Sequence, residues 1–96
     1  KRESNGFFEI IGRVTSQNVT ALKVYFDTVL ELNDAMVVSV EKVQEMDSSA
    51  ALFFESFYRG AAAQNKIVTI IGRQNDGIFK IMEATKTAYI LSSDRV

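Results

Sequence analysis

Ala35-Met36-Val37-Val38-Ser39-Val40 is a short, β-branched and almost unbroken apolar run, the composition expected of a strand covered on both faces. Lys66-Ile67-Val68-Thr69-Ile70-Ile71 repeats the pattern and Gly72 breaks it. Between the two runs, a helix is predicted to begin near Ser48 or Ser49 and to run to about Ala63, ending around Gln64-Asn65. Two buried strands with a helix between them imply parallel pairing through a crossover.

The same reading extends in both directions. Before Ala35, Thr15-Ser16-Gln17-Asn18 offers several helix-capping side chains. Ala21, Leu22, Tyr25, Val29 and Leu32 then recur at helical spacing, with Val24, Phe26 and Leu30 widening the stripe, and Asn33-Asp34 ends the helix. Phe7-Phe8-Glu9-Ile10-Ile11 reads as a strand. Asn5-Gly6 would join it to a short leading strand, Lys1–Ser4, through a type I′ turn. After Gly72, a shorter helix is predicted over Gly77–Thr85, with Ile78, Ile81 and Met82 on one face, and Ala88-Tyr89-Ile90-Leu91 is expected to be a last strand. The order β-β-α-β-α-β-α-β predicts an α/β sandwich: one domain over residues 1–96, with a mostly parallel central sheet, an N-terminal hairpin and helices packed against the sheet. In such sheets, sites tend to lie at the carboxyl ends of the strands, here after Val40 and after Ile71.

Composition narrows the chemistry. The 96 residues contain no cysteine and no histidine, which removes disulfides, thiolate nucleophiles, His-dependent triads and nearly all zinc sites. Eleven Lys and Arg against twelve Asp and Glu leave a net charge of −1, so there is no basic field to hold a nucleic-acid backbone. No apolar run approaches a membrane span, and the basic start Lys1-Arg2-Glu3-Ser4-Asn5-Gly6 lacks the apolar core of a signal peptide. A cytoplasmic protein, with no membrane and no direct nucleic-acid partner, is the expectation. No cofactor and no metal site are expected.

Val40-Glu41-Lys42-Val43-Gln44-Glu45-Met46-Asp47-Ser48-Ser49-Ala50-Ala51 links a buried strand to a helix. Asp47 and Ser48 can both cap the helix, since their side-chain oxygens can accept from amides of the first turn. On pattern alone, Asp-Ser-Ser before an apolar helix is ordinary N-capping. Ser49 would sit inside that turn, near the positive end of the helix dipole, where a phosphate gains from unpaired amides. A phosphate would add a charge of about −1.5 to −2 to a segment already holding Glu41, Glu45, Asp47 and Glu55. The fold would tolerate it, and an acidic partner surface would not.

The element order, Gly12-Arg13-Val14-Thr15 ending the early strand and Met46-Asp47-Ser48-Ser49 after the central strand together resemble the STAS domain of anti-sigma factor antagonists. The resemblance covers nearly the whole chain. Its most specific part is Asp47-Ser48-Ser49, which resembles the family's Asp-Ser-[Ser/Thr]-Gly phosphorylation motif. It implies that Ser49 is the phosphoacceptor, with Asp47 orienting it and Ser48 as the intervening small residue. It also implies a partner-switching cycle. A serine kinase anti-sigma factor binds the unphosphorylated antagonist and releases its sigma factor, phosphorylation ends that binding, and a metal-dependent serine phosphatase resets it. The kinase and phosphatase would carry the catalytic residues, with this chain as their substrate. Glu45, Met46, Ala50, Leu52, Phe53 and Arg73 are expected to face the partner. Ala50-Ala51-Leu52 stands where the family has Gly-Leu-Gly, and the chain stops soon after its last predicted strand, where the family commonly has a C-terminal helix.

Other features fit this reading or are neutral to it. Phe53, Phe54, Phe57 and Tyr58 crowd one helix on more than one face, and Phe53, Phe54 and Phe57 span too broad an arc for a single buried stripe. At least one is therefore expected on the surface, where a homodimer or a larger assembly could use it. Gly72-Arg73-Gln74-Asn75-Asp76-Gly77 lacks the spacing of a phosphate loop and reads as a turn with helix capping. A serine nucleophile has no histidine base here and no Gly-x-Ser-x-Gly elbow, so enzymatic activity is not expected. The alternative kept open is a constitutive STAS-like scaffold or adaptor in a signalling, transport or lipid-transfer assembly.

Overall fold

The computed structural model describes residues 2–4 by their backbone and residues 7–92 in full. Its elements are β1 (Arg2–Ser4), β2 (Phe7–Glu9), β3 (Gly12–Val14), α1 (Val19–Leu32), β4 (Ala35–Ser39), β5 (Val43–Met46), α2 (Ser48–Ala63), β6 (Ile67–Ile71) and α3 (Asp76–Ala84), followed by a 3-10 turn over Ala88–Ile90. The central sheet has the order β1-β2-β4-β6. β2, β4 and β6 are parallel, and β1 is an antiparallel edge strand on β2, so the expected hairpin pairing is present. The predicted Asn5-Gly6 turn itself lies outside the described residues.

One hydrophobic cluster joins the sheet to the helices. Phe8, Met36, Val38, Val68 and Ile70 alternate along their strands toward the helices and are buried, as the period of two requires. The opposite face is only partly covered. Ser39 and Ile71 are buried there, but Val37 and Thr69 are half-buried and Ile67 is 66% exposed. The apolar runs that predicted strands covered on both faces are thus fully enclosed on one face only.

Three further expectations are corrected. The buried face of α1 centres on Phe26 and Leu30, with Leu22, Tyr25 and Val29 packed beside them. Ala21 lies on the exposed side, as does Val24 at 63%, and Leu32 is 81% exposed, so two of the three residues expected to widen the stripe, Phe26 and Leu30, are its middle and the third lies outside it. Ala88–Ile90 winds as a 3-10 turn instead of a strand, because Lys86 takes a positive φ of 63° and the Thr87 amide turns back to the Met82 carbonyl at 2.7 Å. Leu91 reaches the sheet through an isolated parallel bridge to Ile70, and the Ser92 amide donates to the Ile70 carbonyl at 2.7 Å. Finally, the aromatics of α2 are all at least half-buried: Phe54 faces the core, while Phe53 and Phe57 pack on Phe26 of α1 with ring centroids 6.3 and 5.4 Å away.

Candidate functional site

The segment between β4 and α2 is more ordered than its sequence implies. Val40, Glu41 and Lys42 turn the chain, and Val43–Met46 then forms β5, paired in parallel with β3 as a separate two-stranded sheet. The register pairs Gly12 with Val43 but Arg13 with Glu45, so Gln44 is an extra residue on β5. Such a bulge lets strand residues three apart point the same way, and Val43 and Met46 are both buried. Gly12 lies at the irregularity with φ of +101°, a conformation that favours glycine. Directly opposite each other, Arg13 and Glu45 form an exposed ion pair at 2.9 Å.

Asp47 follows β5 and is the N-cap of α2. Its Oδ1 accepts from the Ala50 amide at 2.9 Å, as capping predicts. Its Oδ2 accepts from the Ser16 amide, also at 2.9 Å, in the loop that leads into α1. The Asp47 amide in turn donates to the Val14 carbonyl at 3.3 Å. One carboxylate therefore joins the ends of β3 and β5 to the start of α2. The Ser16 amide, and after it the Ala50 amide, hold the Asp47 carboxyl below its ordinary value, outweighing the opposing effect of partial burial.

Ser48 and Ser49 occupy the first turn of α2 and are exposed. Neither hydroxyl has a hydrogen-bond partner among the described residues. The helix amino terminus thus presents two free hydroxyls beside a fixed carboxylate, at the carboxyl end of a parallel strand pair.

The other expected site residues divide. Glu45 is exposed, Leu52 is 50% exposed and Phe53 is half-buried. Met46 and Ala50, expected to face a partner, lie in the core. Arg73 donates to the Leu91 carbonyl at 3.2 Å and stands over the Phe79 ring at 5.6 Å, so its described contacts are with the C-terminal turn and α3. Among the described residues, no group of three or more His, Cys, Asp or Glu side chains is placed to hold a metal ion, and no helix is long and apolar enough to cross a membrane.

Asn75, in a segment whose sequence predicts a turn with helix capping, is both the cap of α3 and a structural clamp. The Asn75 Nδ2 lies 3.1, 3.1 and 2.9 Å from the carbonyls of Val40, Glu41 and Val43, while its Oδ1 accepts from the Ile78 amide at 3.4 Å and caps α3. It fastens the β4–β5 turn to α3 and so fixes the strand that delivers Asp47. An Asn before a predicted helix signals the cap; the contacts about thirty residues back leave no local signal. No family model matches the chain, and no curated protein matches it.

Proposed function

We propose that this chain is a cytoplasmic STAS-type binding module gated by phosphorylation at Ser49, acting as an anti-sigma factor antagonist toward a serine kinase anti-sigma factor and reset by a serine phosphatase. The observation that carries the reading is the Ser49 hydroxyl: exposed, without a partner among the described residues, and set in the first turn of α2 behind an immobilised Asp47. A kinase substrate needs such a hydroxyl, and the helix dipole favours the phosphate that results. The product would carry about −1.5 to −2 charges at neutral pH, next to a carboxylate that its two amide donors keep ionised. A partner docked across Glu45, Ser49 and Leu52 would meet a changed electrostatic surface on an unchanged backbone.

The test is phosphotransfer from a serine kinase of the anti-sigma type encoded beside this chain. Ser49 is labelled, Ser48→Ala keeps the label and Ser49→Ala loses it while retaining the native circular dichroism. Label surviving in Ser49→Ala, or no transfer to a folded wild-type chain, refutes the reading. Leu52 favours a second reading, that of a constitutive adaptor: a large exposed apolar side chain three residues beyond the acceptor supports contact that needs no switch. A partner whose affinity ignores Ser49→Asp would select it.

A further inference from the structure

α1 and α2 leave a groove of about 400 Å3 along their shared length. Leu30, Phe53, Phe57 and Ala61 supply its apolar part. Gly60 opens its middle, in a helix interior where glycine is disfavoured. Nothing within the described chain requires glycine there, since its φ is not positive and an added Cβ would meet nothing within 4 Å. A residue without a side chain at that point leaves room for close approach from outside.

The rims say what approaches. On α1, Lys23 and Glu31 stand four residues either side of Asp27; on α2, Ser56 and the C-cap Gln64 stand four residues either side of Gly60. A two-fold axis passing beside Asp27 and Gly60 therefore sets Lys23 of one copy against Glu31 of the other, and Ser56 against Gln64, twice each. This is the self-complementarity that an isologous interface needs. Glu31 has no ion-pair partner among the described residues, and Asp27, which would lie near its own copy, is paired with Lys23 at 2.7 Å, so each Lys23 would stand between its own Asp27 and the Glu31 of the other copy. Val24, in line with Glu31, is 63% exposed, and Leu52, in line with Ser56 and Gly60, is also exposed; both extend the apolar surface beyond the groove.

We propose that the α1–α2 groove is the interface of a two-fold homodimer, with the α2 helices crossing at Gly60 and reciprocal Lys23–Glu31 pairs at the rim. It goes beyond the Ser49 assignment and is measured with no kinase present, so either can fail alone. Sedimentation equilibrium on the full chain should give a concentration-dependent dimer. Glu31→Lys and Lys23→Glu each place like charges in both rim pairs and should weaken it about tenfold. Mixing these two variants should restore association, because the heterodimer regains both opposite-charge pairs. Gly60→Leu should abolish the dimer without loss of helix signal. A wild-type chain that stays monomeric at millimolar concentration, rim variants that dimerise like wild type, or a mixture no tighter than its components would overturn the proposal.

Discussion

Asn75→Asp gives the sharpest test of how the β4–β5 turn is held. If Asn75 matters as the cap of α3, aspartate should serve equally, because the two rank alike at that position. If it matters as a donor to Val40, Glu41 and Val43, aspartate should be the worst replacement available. The amide has two hydrogens for three carbonyls, so about two net hydrogen bonds of roughly 1 kcal/mol each are at stake. Asn75→Ala loses these and a cap worth about 1 kcal/mol, for a total near 3 kcal/mol. Asn75→Asp keeps the cap but sets anionic oxygens against three carbonyl oxygens, and should cost at least as much. For a domain of this size that is a fall of roughly 12–24 °C in Tm. Acid should narrow the Asn75→Asp deficit, since protonation returns one donor. Thermal and urea unfolding followed by circular dichroism measure all three chains. An Asn75→Asp chain as stable as wild type at neutral pH would refute the clamp and leave only a cap.

Four further outcomes are expected. A Cβ at Gly72 would run into the Val40 side chain and crowd Leu91, so Gly72→Ala should cost about 1–3 kcal/mol, and its cost should shrink in a Val40→Ala background, as a double-mutant cycle in urea would read. Asp47 is more acidic in the native state than its ordinary value of 3.8; the stability it contributes is whole above that value and is lost as pH falls through the lowered one, so the gap between wild type and Asp47→Asn should close in acid, and a pH-independent gap would contradict this. The Tyr89 hydroxyl donates to Glu55 at 2.6 Å, and that bond, then partial burial and the Glu55 charge, raise its pKa above 10.0 against the influence of Arg59. Its stabilising share holds below 10.0 and disappears as pH rises through the native value, so Glu55→Gln should lower the Tyr89 midpoint in an NMR titration. Ser49→Asp should leave unfolding within about 1 kcal/mol of wild type, on the stabilising side, because an anion at a helix amino end is favourable.

The regular part of the fold was legible because its periods are unambiguous. The runs at Ala35 and Ile67 and the helix of Ser48–Ala63 all appear where pattern places them. Gly12–Val14 is legible only as the end of the early strand and not as β3, a strand of its own, and β5 is not legible at all: the bulge at Gln44 spaces Val43 and Met46 three apart, so its residues lack the alternation that marks a strand. The aromatic arc of α2 is too wide for one buried stripe, but the helix has two surfaces to satisfy. Phe54 meets the sheet side, and Phe53 with Phe57 meets Phe26. At the site, the Asp47 cap and the exposure of Ser49 follow from local sequence. The bond from the Ser16 amide joins residues 31 apart, and only the pairing of β3 with β5 brings them together.

That pairing also bears on how a modification at Ser49 could act. A phosphate can work by melting a segment or by changing the charge on a fixed surface. Melting requires an element of low local stability, and the start of α2 lacks that character. Asp47 binds amides from α2 and from the loop before α1, its own amide is held by Val14, β5 is paired with β3 on both sides of its bulge, and Asn75 fastens the preceding turn. Releasing the helix start would break these contacts together. A charge added at Ser49 costs none of them and gains from the helix dipole. The cheaper route keeps the backbone in place and alters only what the surface repels, so a partner that senses Ser49 would do so by contact across the helix amino end rather than by recognising an unfolded loop.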